Sequence, residues 1–438
     1  MASTNDKLPS PCQPRCNIQR SPLEVLILGR GHHQSSHNVS VPIQDVTKAD
    51  QPSSPTRGET RCDHPKPTDY VLVKRKNVYF IATKPTRPAL SVEQNLTNPT
   101  LQNCAANRLS KFLGSLFDGQ GEEPSFLLKR LAATGKSRVY SAEIGNKPTV
   151  VKLFNDPRAA NNELSIHARV YNELNEFWPL IQTLLQDDRL PRPKVPRPAS
   201  KVFHRRLLGT SSKVEGFMME YIQPLNPHHC RVLIKKYLDP QLHEAAFKHP
   251  EFLGMRLSVL MGEMSPTMDY QTGKLQDRPV FFDQLWEESP RWVPCWAIMM
   301  GATLAIIHWS CGLDARGVEF RLGLHKNQNR LWLSDFGDCM PIEWSFEFVT
   351  SNMVNAIMDN PTWPRPATAL SLSQMSDPGR VLPQTWNRFR SAYLESSALV
   401  LCEGNTYVED RSLPHRFICR LEAMWELQAE EERARGLA

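Results

Sequence analysis

The stretch "RLWLSDFGDCMPI", Arg330 to Ile342, sets an apolar run ahead of Asp335, Phe336 and Gly337. That order predicts a strand ending in a turn that aims the Asp335 carboxylate away from the sheet. A carboxylate so placed is suited to hold a metal ion against a phosphate. By chance alone such a tripeptide turns up in roughly one chain in fifteen of this length. Its meaning therefore depends on the segments upstream.

The chain has 438 residues, 40% of them apolar, enough for one large two-lobed domain or two smaller ones. Its longest apolar stretch, Trp296 to Ile307, is interrupted by Gly301 and Thr303 and reads as too short to cross a bilayer, so no membrane association is expected. The N-terminus "MASTNDKLPSPCQPRC" lacks a basic start followed by an apolar core. The ten cysteines are accordingly expected as reduced thiols in the cytoplasm or nucleus. Residues 1 to 90 hold thirteen Lys and Arg against seven Asp and Glu, within a net charge of +6. A basic tail can touch nucleic acid, but the stacking and base-reading residues that such binding needs are not found.

Residues 1–66, rich in Pro, Ser, Gln and Asn with one apolar run "LEVLILG", read as a disordered basic tail. "DYVLVKRKNVYFIATK" reads as a hairpin, and "ANRLSKFLGSLFDG" as a short amphipathic helix. From Ser125, "FLLKRLAATG", "SRVYSAEIG" and "PTVVKLF" read as three antiparallel strands. A helix, "ANNELSIHARVYNELNEFWPLIQTLL", and a further strand, "GFMMEYI", follow. The expected domains are thus a tail at 1–66, a sheet-bearing lobe at 67–222 and a helical lobe at 223–438.

The segment "GLDARGVEFRLGLHKNQNRLWLSDFG" places Asp314 and Glu319 five positions apart, with a hairpin from Phe320 to Leu333 before Asp335. This spacing serves phosphoryl transfer: one carboxylate accepts the attacking hydroxyl's proton, and a second ligand one loop turn later clamps magnesium. Together with "TVVKLF" and "FMMEYI", the chain from about Ser125 to Ile342 resembles the protein-kinase-like superfamily, including its aminoglycoside and choline kinase-like branch. "HWSCGLDARGVEFRLG", "LWLSDFGDC" and "NPTWPRP" are more closely similar to a fungal family of uncharacterised proteins often labelled "zinc finger protein", a likeness that runs to about Leu421.

The resemblance implies an α+β, two-lobed protein-kinase-like fold, with a small antiparallel-sheet N-lobe and a helical C-lobe. It implies ATP and magnesium as cofactors and a nucleotide as partner, alongside a small-molecule substrate or a protein. Asp314 would be the base and Arg316 would hold the transferring phosphoryl. Asp335 and Glu319 would bind the metal, Lys152 the phosphates, and Glu163 would orient Lys152. Gly135 remains from the phosphate-binding loop, and Glu220 and Tyr221 stand in the connector between lobes.

Departures from the pattern raise a rival reading. "LAATGKSRVY" keeps Gly135 but has Ala132, Thr134 and Ser137 near the other glycine positions. Gly312 and Leu313 replace the His-Arg pair before the catalytic Asp, and Glu319 replaces an Asn. A catalytically inactive relative serving as an interaction module is the alternative. His308, Cys311 and Cys339 read as core residues. Cys12, Cys16, His32, His33 and His37 mimic a two-Cys two-His finger loosely, but the fifteen-residue gap and missing apolar spacers speak against structural zinc.

Overall fold

The computed structural model describes residues 70–75, 78–83, 125–134, 136–204, 214–248, 255–266, 278–366, 378–404 and 410–435. The chain divides into two units, Met1–His64 and Pro65–Ala438, and every described residue lies in the second. The expected tail, the "ANRLSKFLGSLFDG" helix, the N-terminal Cys/His set and Gly135 fall outside the described residues.

Eight strands build the first sheet: β1 (Tyr70–Arg75), β2 (Val78–Thr83), β3 (Ser125–Leu127), β4 (Lys129–Ala133), β5 (Ser137–Ile144), β6 (Lys147–Phe154), β7 (Pro198–His204) and β8 (Val214–Glu220). Their spatial order is β3-β1-β2-β7-β8-β6-β5-β4. The expected hairpin at residues 70–83 is present, and β2 runs parallel to β7, so the hairpin extends the sheet. The run "FLLKRLAATG" does not form one strand as expected. It divides at Leu128 into β3, which pairs with β1, and β4, which pairs with β5. Because a single residue joins the two edge strands, the sheet wraps round on itself. Gly145 and Asn146, both at positive φ (57° and 61°), supply the two-residue turn between β5 and β6.

Helix α1 (Pro157–Leu184) follows β6 directly. It starts there because the Asp156 side chain accepts from the Arg158 N–H at 2.9 Å and Pro157 occupies the first helical position, where no N–H is needed. Its buried residues Ala160, Glu163, His167, Val170, Leu174, Phe177 and Ile181 recur at three- and four-residue steps and define one inward face. Along β6, Lys152 and Phe154 alternate with Val151 and Leu153 on the opposite face. Phe154, Phe217 and Ala160 pack together between the sheet and α1.

Beyond β8 lie α2 (Pro227–Tyr237), α3 (His243–Lys248), α4 (Phe282–Glu288), α5 (Val293–Ala305), α6 (Phe346–Phe348), α7 (Val354–Met358), α8 (Pro378–Glu403) and α9 (Leu413–Ala434). A second sheet interrupts them, ordered β10 (Arg278–Phe281), β9 (Leu257–Leu260), β11 (Glu319–His325), β12 (Gln328–Ser334). The expected hairpin is β11–β12, in register from Glu319 opposite Ser334 to His325 opposite Gln328. Its tip is only Lys326-Asn327, both at positive φ. Helix α5 continues through a π-turn, Ile306–Ser310, so the apolar span Val293–Ser310 reaches 18 residues and is long enough to cross a membrane by length and composition. It is instead 78% buried, as the core helix of this unit. Gly301 lets α8 close on it, since a Cβ there would lie 2.2 Å from the Phe389 carbonyl oxygen.

Candidate functional site

The site is organised around one ammonium. Lys152 Nζ lies 2.6 Å from Glu163 Oε1 on α1 and 2.8 Å from Asp335 Oδ1 at the end of β12. The Lys152 and Glu163 side chains are 8% and 5% exposed, whereas Asp335 is 42% exposed. Burial pulls the Lys152 pKa down, but the Asp335 and Glu163 carboxylates outweigh it and its net direction is up. Burial raises the Glu163 pKa, an effect that Lys152 offsets only in part. The fold thus brings together three residues that are 11 and 183 positions apart.

Asp335 sits at φ 68°, the left-handed region that Asp tolerates better than most residues, and this bend turns the chain sharply out of β12. Phe336 then buries completely and meets the His167 ring at 5.1 Å. His167 Nε2 donates to the Pro196 carbonyl at 2.6 Å, and burial lowers its pKa to about 4. Gly337 backs onto the ion pair: a Cβ there would lie 2.5 Å from Glu163 Oε2.

Asp314 is placed differently from a free base. It is 2% exposed, and its Oδ1 accepts the Arg316 N–H at 3.1 Å and the Met340 N–H at 2.9 Å. The Asp314 N–H donates to the Met340 carbonyl at 3.0 Å. These bonds tie the loop before β11 to the segment after Gly337. Gly312, Ala315 and Gly317 all take positive φ, so the loop between them is tightly coiled. Arg316 Nε is 3.5 Å from Asp314 Oδ2, and its guanidinium is 3.8 Å from Asp359. A cavity of about 330 Å³ opens beside this loop, lined by Val259, Leu260, Arg316, Glu319, Asp359 and Thr362 among others.

Glu319 starts β11 opposite Ser334, one residue before Asp335, and its Oε2 accepts from Arg321 Nε at 3.1 Å and Nη2 at 2.6 Å. Glu220 closes β8, exposed, with Oε2 accepting the Arg197 N–H at 3.2 Å. The Tyr221 ring lies 5.5 Å from the Arg256 guanidinium. Among the described residues no group of three or more His, Cys, Asp or Glu side chains is gathered as a metal site. The donors near Asp335 are hard carboxylate oxygens. That set suits magnesium, which keeps several waters and shares its remaining positions with phosphates. The Asp335 oxygen bonded to Lys152 is Oδ1.

Sequence reasoning passed over two residues here. Lys136, in the turn between β4 and β5, has its Nζ 2.5 Å from Asp338 Oδ1. The signal was present in "TGKS" and "DFGDC": a cation in the loop and a further carboxylate three residues past Asp335. The thiols of Cys311 and Cys339 are buried as expected, and burial raises both pKa values. His308 is a core histidine, its Nδ1 3.0 Å from the Tyr393 hydroxyl and its pKa lowered to about 3 by burial.

A three-strand meander with a buried lysine on its third strand, a following helix carrying the lysine's glutamate, and an Asp-Phe-Gly turn completing the triad define a two-lobed, protein-kinase-like α+β fold. Residues 331–405 match a sequence family described as "Zinc finger protein". This segment contains Asp335, Gly337 and Asp338 and all of α8. A comparison with curated proteins finds no match. Among solved structures, the chain is similar to an aminoglycoside phosphotransferase at 13% identity, covering 74% of this chain and 97% of that one with a TM-score of 0.21. At that score the likeness adds nothing to the assignment, which rests on the strand order and on the contacts of Lys152.

Proposed function

We propose that a cleft around Lys152 binds a nucleoside triphosphate with magnesium and that its terminal phosphoryl passes to a small hydroxyl-bearing molecule. The observation that carries this reading is the Lys152 ammonium, held between buried Glu163 and half-exposed Asp335. A buried ion pair is a poor investment for stability alone, and this one ends on a carboxylate that faces solvent. In the proposed complex Lys152 contacts the phosphates and Glu163 fixes its position. Asp335, with Glu319, would hold the metal, whose chemistry is to neutralise charge on the transferring phosphoryl. Arg316 steadies that group, and Glu220 and Tyr221 border the base-binding side. The cavity beside Arg316 would take the acceptor. Free thiols at all six described cysteines are compatible with the cytoplasmic or nuclear setting we propose.

One observation favours a second reading, a nucleotide-binding interaction module without transfer. Asp314, the base of the first reading, spends one oxygen on two backbone donors and is almost fully buried. The two readings separate in an assay of nucleotide turnover with purified protein. Slow magnesium-dependent release of phosphate from ATP, lost in Asp314→Asn while nucleotide binding persists, supports transfer. Binding without turnover, unaltered by Asp314→Asn, supports the module.

A further inference from the structure

In a kinase-like fold the turn between the first two strands of the meander presents backbone N–H groups to phosphates. Among the described residues of this turn, the N–H groups of Thr134, Lys136 and Ser137 are already engaged. Thr134 Oγ1 accepts the Lys136 N–H at 3.3 Å and the Ser137 N–H at 3.0 Å, and the Thr134 N–H donates to the Ser137 carbonyl at 2.8 Å. What the turn extends instead is an ammonium. Lys136 Nζ reaches Asp338, and the two side chains are 79% and 49% exposed. Asp338 follows Gly337 directly, so this cation stands beside the Asp335 turn, where a triphosphate held by Lys152 would end. The hydrogen bond that Lys136 donates to Asp338 raises the Lys136 pKa, and the charges of Asp338 and Asp335 add to the effect. Lys136 therefore stays charged. An exposed pair of this kind contributes little and exchanges readily for a more highly charged phosphate.

On the nucleotide-binding reading given above, we propose that Lys136 is this loop's terminal-phosphate contact, exchanging Asp338 for a phosphoryl oxygen when nucleotide binds. No covalent bond changes in this step. The swap releases the Asp338 carboxylate toward the metal side of the cleft.

The test is calorimetric titration of the full-length protein and its variants with ATP and with AMP, at fixed ionic strength. Lys136→Ala should weaken ATP binding about five- to tenfold and AMP binding less than about twofold, because only ATP carries the terminal phosphate. Lys136→Arg should restore most of the ATP affinity. Asp338→Asn, titrated in chelator to remove any role as a metal ligand, should leave ATP affinity unchanged or raise it, since it deletes the competitor for Lys136. Lys136→Ala weakening ATP and AMP alike, or weakening neither, would overturn the proposal while leaving the nucleotide reading in place. A wild-type protein that binds neither ligand would overturn both.

Discussion

Glu163 rests on the backbone of Gly337: a Cβ added at Gly337 would come within 2.5 Å of Glu163 Oε2. Glycine is thus required in the Asp-Phe-Gly turn by the ion pair behind it, and the turn in turn fixes where the pair can sit. Gly337→Ala should push the Glu163 carboxylate off Lys152 and destabilise the fold by about 1–3 kcal/mol, the ordinary cost of overpacking a closed site. Chemical denaturation measures it. A loss below about 0.5 kcal/mol would show that Glu163 relaxes freely.

The Lys152–Glu163 pair should show the asymmetry of buried charges. Lys152→Ala leaves a buried carboxylate without its partner and should cost about 3–5 kcal/mol. Replacing both, as Lys152→Met with Glu163→Leu, removes two desolvated charges together and should return stability to within about 1 kcal/mol of wild type. Urea midpoints of the three proteins test this. A double variant as unstable as the single one would mean that the pair, and not the orphaned charge, supports the fold.

Acid should unfold the protein through two buried histidines. Burial lowers His167 to about 4 and His308 to about 3, so both stay neutral in the folded chain while the unfolded chain protonates them below about 6.5. The unfolded state then binds more protons, and stability falls as pH drops from about 6.5 toward 4. Each histidine contributes a slope of about 1.4 kcal/mol per pH unit in that window. His167→Gln, which keeps a donor for the Pro196 carbonyl, should flatten the profile by one histidine's share. An unchanged slope would assign the acid sensitivity to other groups.

Much of the site was legible in the sequence because its parts carry local signals. Lys152 follows two valines on a β-rich run, Glu163 falls on the inward face of a helix with a clear start, and Asp335 ends an apolar strand. Those signals fix the elements, and the kinase-like order fixes which elements meet. What stayed hidden depends on contacts distant in the chain. The break at Leu128 comes from β3 pairing with β1 across the sheet. The strands β9 and β10 are four residues each and pair in parallel, so neither shows a hairpin signal. The closure of Asp314 depends on Met340, 26 positions on, and the Lys136–Asp338 bridge spans 202. Expected ligand Glu319 was chosen by spacing alone, and spacing did not reveal that Arg321, on the same face of the strand, would engage it.

The most direct test of the central claim is a thermal melt of the purified protein with ATP, with and without magnesium. At a nucleotide concentration of about a hundred dissociation constants, binding adds about 2.7 kcal/mol, which raises Tm by roughly 3–5 °C for a unit of this size. Lys152→Met with Glu163→Leu should melt near wild type yet lose the shift, and Asp335→Asn should keep a shift that no longer responds to magnesium. If millimolar ATP, ADP and GTP leave the wild-type melt unmoved in both conditions, the cleft around Lys152 does not bind nucleotide and the account fails.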